Sequence, residues 1–437
     1  MSAADETADL IVVGGGAAGL ATAIFAKRHA PALRVICVDG ATRIGAKILV
    51  SGGSRCNVTN TEVTEKDFWG GPSRIVRSVL RAFPAVKAAA FFAELGVGLH
   101  EEEDGKLFPD TNKARDVLDA LVGALRESGA ELHTGVRVTE VTRAKQGFLV
   151  TATGRRYQAS ALVLATGGRS LPKTGSDGAG YAFARALGHG YVETTPALAP
   201  LLLNGDRYAA LAGVSHRVRL TLRRADGRAI DLDGALLWTH FGASGPVVLN
   251  ASRHWHRAQL EQHAVEVLLN LCPGDRFETL DTWLLEQAIE RPRAQVATVL
   301  AARLPAAVAE AWVTGLDLDG VTVAHLTRES RRSLIHALLA TPLDVRDSRG
   351  YSFAEVTAGG IPLDEIDPAR MESRCCPGLF LVGEILDVDG RLGGFNFQWA
   401  WSSAWVAGRA IASGTPLQPQ LPSPGSATHS TPRDGRG

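Results

Sequence analysis

Gly14, Gly16 and Gly19 stand at the spacing G-x-G-x-x-G, directly after the apolar run Leu10 to Val13 and at the head of an Ala- and Leu-rich segment that opens with Ala17 and Ala18. Such a pattern does its chemistry with backbone. The first glycine permits a tight turn, the second lets the chain approach a pyrophosphate, and the third lets a helix pack closely on a strand, so that the helix N-terminus faces an anion. A second apolar run, Val35 to Val38, ends on Asp39, the position from which an acid binds ribose hydroxyls. Strand, turn, helix, strand and terminal acid agree on a dinucleotide site and leave FAD and NAD both open.

Three further clusters carry related chemistry. Residues 40–60, GATRIGAKILVSGGSRCNVTN, hold little that would bury a core and read as a donor-rich loop. Successive N–H groups of Ser51, Gly52, Gly53 and Ser54 could form an anion-binding nest, with Lys47 and Arg55 adding positive charge. Ala165, Thr166, Gly167 and Gly168 end an apolar run on small residues, where a flat cofactor can approach the backbone. Near the C-terminus a short apolar run leads to Gly383-Glu384, then Asp387 and Asp389, then Gly393-Gly394 with Phe395 and Asn396 opening a long helical pattern. An acid there can bind polyol hydroxyls, and the helix N-terminus can stabilise negative charge on a reduced ring.

The elements that must hold these residues follow from periodicity. Residues 72–96 predict two helices broken near Pro84, their phenylalanines facing a core. Asp104-Gly105 predicts a turn and an extended piece to Phe108, and the helix after it has Thr111 or Asn112 as its cap. From Glu131 the period becomes alternating, and residues 136–144, 147–153 and 154–165 predict a three-stranded meander ending in a buried strand; Val136, at its head, joins the cofactor-facing set. Residues 171–190 hold a second Gly-rich run without a preceding apolar strand, which reads as a loop leading into a helix. Rossmann unit, helical interval, meander, then a strand ending in Ala-Thr-Gly-Gly is the order of FAD domains of the glutathione-reductase type. Here FAD becomes favoured over NAD.

From Pro196 to about Ala354 the character changes. Alternating strands with a hairpin at Asp226-Gly227 precede the string T-x-x-G-x-S-G-P at residues 239–246 and another strand at 264–271; a helical pattern over 277–340 is broken at Pro292, Pro305 and Gly315. The expected fold is α/β: a discontinuous FAD-binding Rossmann domain (1–195 and 355–412) with an inserted β-rich domain (196–275), a helical insert (276–340), a return strand (341–354) and a disordered Pro/Ser/Gly-rich tail (413–437). Arg207 to Arg228 holds six arginines against the single acid Asp226, which fits either a solvated hairpin face or a phosphate-contacting patch for RNA.

Composition narrows the class. A chain of 437 residues, 45% apolar and 21% charged, is large enough for two or three cores. Lys+Arg and Asp+Glu are equal at 46 each, so no global field draws it to nucleic acid or to an anionic membrane. No signal-like or membrane-spanning apolar run is present, and a cytoplasmic location is the default expectation. Five scattered cysteines without C-x-x-C imply neither a disulfide framework nor a zinc site, and the acidic run Glu101 to Asp104 reads as a solvated turn, so no metal is expected.

Taken together, VVGGGAAGLATA (12–23), GAKILVSGGSRCNVTN (45–60), KLFPDTNKARDVLDAL (106–121), VLATGGRSLPKTGSDGAGY (163–181), LWTHFGASGPVVL (237–249), EVTAGGIPLDEID (355–367) and LVGEILDVDGRLGGFNFQWAWSSAWVAG (381–408) resemble the HI-type, or BaiN/YhiN-like, bacterial flavoprotein family over residues 8 to 412. The chain departs from it at Asp39, where FAD enzymes of this kind usually carry Glu, and at Ser54, where members often carry Gly. The resemblance implies FAD, NAD(P)H as a transient reductant, and reduction of a conjugated double bond, in a steroid-like acid or in uridine of large-subunit ribosomal RNA. It also places the Cys56 loop near the flavin ring. Cys56, with Arg55 lowering its pKa, is then one candidate proton donor and His240 another; each has a plain structural alternative, a packing thiol and a strand-end histidine. A competing reading is an FAD-bound redox-sensing protein that binds RNA or a partner without steady turnover.

Overall fold

The computed structural model describes residues 5–205 and 208–414. Residues 415–437 of the expected tail, and Arg207, lie outside the described residues. The apolar runs of the sequence form the centre of one sheet. β1 (Asp5–Val13) pairs in parallel with β2 (Val35–Asp39), and β2 with β3 (Glu131–Thr134). The meander is β4 (Val138–Arg143), β5 (Phe148–Ala152) and β6 (Arg155–Leu164); β6 also runs parallel to β1 and to β7 (Leu379–Leu381). Leu10 to Val12, Val35 to Val38, and Leu162 to Leu164 are all buried. Parallel strands covered on both faces need no polar alternation, which is why these runs are continuous.

Helix α1 (Ala17–His29) is buried from Ala18 to Lys27, on more than one face. It lies between the sheet and the long helix α4 (Phe395–Ala412), and Gly408 makes the crossing possible: a Cβ there would stand 2.7 Å from that of Phe25. The chain therefore brings its C-terminal end back onto its first helix. Residues 73–82 and 85–94 are the two helices expected around Pro84, and Phe83, Phe91 and Phe92 are core residues.

Two local expectations are corrected. The helix Ala114–Glu127 has Lys113 at its N-cap and no side-chain cap; Asn112 takes a left-handed conformation and its amide oxygen accepts from Arg55 at 3.3 Å. Residues 40–60 are not a continuous loop, since α2 (Ala46–Ser54) begins with regular helical turns before Gly52, Gly53 and Ser54 turn left-handed.

The inserted stretch builds a seven-stranded sheet in the order 341–343, 265–270, 215–224, 229–239, 242–244, 201–203, 345–348. Strand residues Leu220, Trp238 and Leu269 and helical residues Leu280, Leu300, Trp312 and Leu338 share one apolar core, separate from that of the parallel sheet. One element had no counterpart in the strand reading of this stretch: α3 (Pro246–Leu260), with Pro at its first position. It docks the insert onto the Rossmann unit. Arg253 makes a buried bidentate pair with Asp389 at 2.6 and 2.9 Å, Asn250 accepts from Leu392 N–H at 2.8 Å, and Arg257 donates to the carbonyl of Glu193 at 2.6 Å. Four of the arginines of the hairpin have acidic neighbours. Arg219 forks onto Asp233, Arg223 pairs with Glu266, Arg224 with Asp226 and Glu261, and Arg228 with Asp226. Among the described residues no helix is long and apolar enough to cross a membrane.

Candidate cofactor cleft

The parallel strands end in line. Gly14 N–H donates to Val38 carbonyl at 2.8 Å, Ala165 N–H to Val13 carbonyl at 2.9 Å, and Val382 N–H to Leu164 carbonyl at 3.2 Å, so the ladder continues into the loops that carry the small residues. Ligands of open α/β sheets bind beyond these carboxyl ends. A cleft of about 540 Å³ opens there. Its walls include Gly14, Gly16, Ala17, Ala18, Asp39, Lys47, Ser51, Gly52, Arg55, Val136, Ala165, Thr166, Gly167, Glu384, Gly393, Gly394 and Asn396 of the residues singled out above.

Of that set, Gly19, Gly53, Gly168, Gly383, Asp387 and Phe395 are not on the wall. Gly19 works from behind, where a Cβ would stand 1.8 Å from the carbonyl oxygen of Gly14. Gly168 and Gly383 are likewise filled from behind, by Thr357 and Ala18. Phe395 is a core ring against Phe68. Asp387 binds backbone, its carbonyl accepting from Gly71 N–H at 2.7 Å, and burial, helped by Asp389, raises its carboxyl pKa.

Both proposed proton donors lie off the wall as well. Cys56 is fully buried in the core of the Rossmann unit, and burial pushes its thiol up to about 12. The expected lowering by Arg55 is absent because that guanidinium is turned to Glu102 (2.5 Å) and stacks over Phe108 (4.1 Å). The bond with Arg55 in turn holds Glu102 below the usual carboxylate range. His240 sits at the turn between the strands 229–239 and 242–244, edge-on to Phe241, away from the cleft lining.

The cleft is polarised by two helix N-termini. α1 has Gly16 as N-cap and α4 has Gly394; neither has a side-chain cap or an acid in its first turn. Their first N–H groups therefore retain the partial positive charge that attracts anions. Gly16 has ordinary extended angles (φ −85°, ψ −169°), and a Cβ placed on it meets nothing within 4 Å. The space it leaves is cleft. Asp39 reaches across this end, its two oxygens accepting from Gly15 N–H at 2.6 Å and Ala41 N–H at 2.7 Å, so the acid that ends β2 also braces the glycine turn. At the other end Glu384 accepts from Lys47 Nζ (2.6 Å), Ser170 Oγ (2.9 Å) and Thr357 N–H (3.0 Å), uniting segments far apart in sequence.

Sequence reasoning did not single out Arg137 and Asp177, which pair across the cleft lining, nor Arg391, paired with Asp67 at 2.7 Å, nor Glu355. Arg137 and Asp177 come from the meander and the second Gly-rich loop, and nothing local says that these meet. Glu355 has a local signal in retrospect: an acid directly before the small-residue strand VTAGG.

The residues present fit FAD. Two uncapped, acid-free helix N-termini suit a diphosphate at one end and a ring that gathers negative charge at the other.

The profile of the HI0933-like protein Rossmann domain matches residues 8–410. The chain is 32% identical over 415 residues to the 3-dehydro-bile acid delta(4,6)-reductase of Clostridium scindens, covering 92% of this chain and 98% of that protein. It is 32% identical over 409 residues to the ribosomal RNA dihydrouridine synthase of Escherichia coli, 93% of this chain and 98% of the relative. The protein of the same name from Haemophilus influenzae is also 32% identical over 409 residues, 92% and 98% of the two chains. With its fingerprint, its parallel sheet and near full-length coverage by family and relatives alike, the chain belongs to the HI0933-like Rossmann family of FAD-type oxidoreductases.

Proposed function

We propose that this protein binds FAD and reduces a conjugated carbon–carbon double bond, in a small enone-type molecule or in a uridine of large-subunit ribosomal RNA, with NAD(P)H as transient reductant. The observation that carries the reading is the cleft itself, lined by small residues and by the uncapped N-termini of two helices. The names of the relatives agree in reaction type: a bile-acid delta(4,6)-reductase and a dihydrouridine synthase both saturate a C=C bond.

Bound and reduced, the flavin would supply a hydride equivalent to the β-carbon of such a bond. The chain does the rest. The N-terminus of α1 and the open space over Gly16 take the diphosphate, and Asp39, through lone pairs left by its two backbone bonds, takes the adenosine ribose. The Lys47–Ser170–Glu384 network fixes the loops around the cleft, and the N-terminus of α4 would offset negative charge on a reduced ring. The insert is pinned to the Rossmann unit by Arg253–Asp389 and contributes Leu198 to the cleft wall.

Purified protein should be yellow and retain FAD, and its flavin band should bleach anaerobically with NADH or NADPH. A dihydrouridine map of ribosomal RNA from a deletion strain decides between substrates: an unchanged map removes the RNA branch. Colourless protein that fails to take up FAD would overturn the reading altogether.

A further inference from the structure

Ten charged side chains line the cleft, and nine are accounted for within the protein. Asp39 is held by two backbone amides, Arg55 pairs with Glu102, Lys106 with Asp104, Arg137 with Asp177, Lys47 with Glu384, and Arg391 with Asp67. The tenth, Glu355, has no hydrogen bond or ion pair on its carboxyl group among the described residues. Only its backbone is engaged, N–H donating to Leu198 carbonyl at 3.2 Å and the carbonyl accepting from Ser170 Oγ at 3.1 Å. An unpaired carboxyl in a protein-walled site is costly as an anion unless something else is meant to meet it.

Glu355 is exposed in the empty cleft and stands on its wall beside the buried Ala354 and Val356, and no protein atom satisfies its carboxyl group among the described residues. Burial, acting alone, raises its pKa to about 7; no neighbouring charge contributes. The charged groups sharing its end of the cleft, Lys47, Glu384 and Arg391, are each neutralised by their own partner. The backbone on both sides is fixed, so the carboxyl is delivered from rigid structure immediately before the strand Val356–Gly360.

We infer that Glu355 is the catalytic acid of this cleft, protonating the substrate carbon adjacent to the one that receives hydride. The inference rests on the reductase reading above. In the step, an N–H bond of the reduced flavin would break to deliver hydride to the β-carbon, leaving oxidised FAD; the π pair of the double bond moves onto the activating carbonyl, and as it returns the α-carbon takes the proton while the O–H bond of Glu355 breaks. The hydride carries both electrons and one hydrogen nucleus, and the carboxyl group supplies the one proton that completes the reduction. The carboxylate left behind takes its next proton from water, and a nicotinamide re-reduces the flavin.

The test uses the full-length FAD-loaded protein and its Glu355→Gln and Glu355→Asp variants. Infrared or carbon NMR titration of carboxyl groups should show one carboxyl still protonated at pH 6, ionising near neutrality, and missing in Glu355→Gln; an unchanged titration overturns the proposal. Dithionite-reduced protein is then mixed anaerobically with a 3-oxo-Δ4 steroid acid or with a ribosomal RNA transcript. Glu355→Gln should slow flavin reoxidation by roughly 10²–10⁴-fold and flatten its pH profile, Glu355→Asp should recover part of the rate, and dithionite reduction should be unchanged. Reoxidation of Glu355→Gln at the wild-type rate also overturns the proposal. If neither probe reoxidises wild-type protein, the reductase reading falls and the titration alone judges Glu355. Should Glu355→Gln not fold, Glu355→Asp, whose shorter arm must still shift the titration, takes its place.

Discussion

Replacing Gly16 by Ala separates binding from folding, because the three fingerprint glycines face different things. The backbone at Gly16 is in a region any residue adopts, and the added methyl enters open cleft. Its cost to the fold is a poorer helix N-cap, about 0.5–1 kcal/mol. Its cost to FAD is larger. The methyl holds the diphosphate away from N–H groups at the head of α1, and loss of one charge-assisted hydrogen bond, about 1.5–3 kcal/mol, weakens binding roughly 10- to 150-fold. Gly19→Ala is the control. Its Cβ would lie 1.8 Å from the carbonyl oxygen of Gly14, a backbone atom that cannot rotate away, so helix and strand must part. Overpacking of this kind costs about 1–3 kcal/mol or more, and apo-protein stability falls with FAD affinity. Urea unfolding of apo-protein together with FAD titration by flavin fluorescence gives both quantities. Wild-type FAD affinity in Gly16→Ala, or an apo-fold as damaged as that of Gly19→Ala, would refute the argument.

Other expectations follow from single contacts. Asp389→Asn should cost about 3–5 kcal/mol because it strands the buried Arg253 charge, and Arg253→Met combined with Asp389→Leu should recover most of it; a double-mutant cycle with coupling near zero would deny the pair its docking role. A thiol reagent at pH 8 should modify Cys375 alone in native protein and all five cysteines after unfolding, since Cys37, Cys56, Cys272 and Cys376 are buried; native labelling of Cys56 would return it to the cleft. Ser54 has φ 69° beside two left-handed glycines, and Ser54→Gly should stabilise the protein by about 0.5–1 kcal/mol in urea unfolding, a loss of stability showing instead that the hydroxyl contributes. If Glu355 is the acid, substrate-driven reoxidation should be fastest below about pH 7 and fall as pH rises through it, because only the protonated carboxyl can donate; a rate rising with pH would exclude it.

How far the sequence reaches depends on how local the controlling physics is. The dinucleotide unit from Asp9 to Asp39 was fully readable, since buried parallel strands announce themselves as apolar runs and tight backbone approach demands glycine at set positions. The meander, the paired helices at Pro84 and the hairpin at Asp226 were readable for the same reason: period, proline and turn chemistry act within a few residues. Helix α3 lies inside a stretch dominated by strands, and the left-handed turn at Gly52 to Ser54 shares the Gly/Ser composition of a longer loop, so neither is legible from local pattern.

The direction in which each reactive side chain faces was decided only by the tertiary structure. Cys56 and Arg55 are neighbours in sequence, yet one points into the core and the other to Glu102, because a thiol is readily buried and a guanidinium must find a carboxylate. Glu384 is neutralised by Lys47, 337 residues earlier, and Arg219, Arg223, Arg224 and Arg228 of the hairpin pair with acids from adjoining strands and loops. Charge pairing across the fold leaves Glu355 as the one unsatisfied charged side chain of the cleft among the described residues. No window of sequence contains that subtraction: each partner is supplied by a different loop, and only folding brings the loops to the same ends of the same strands.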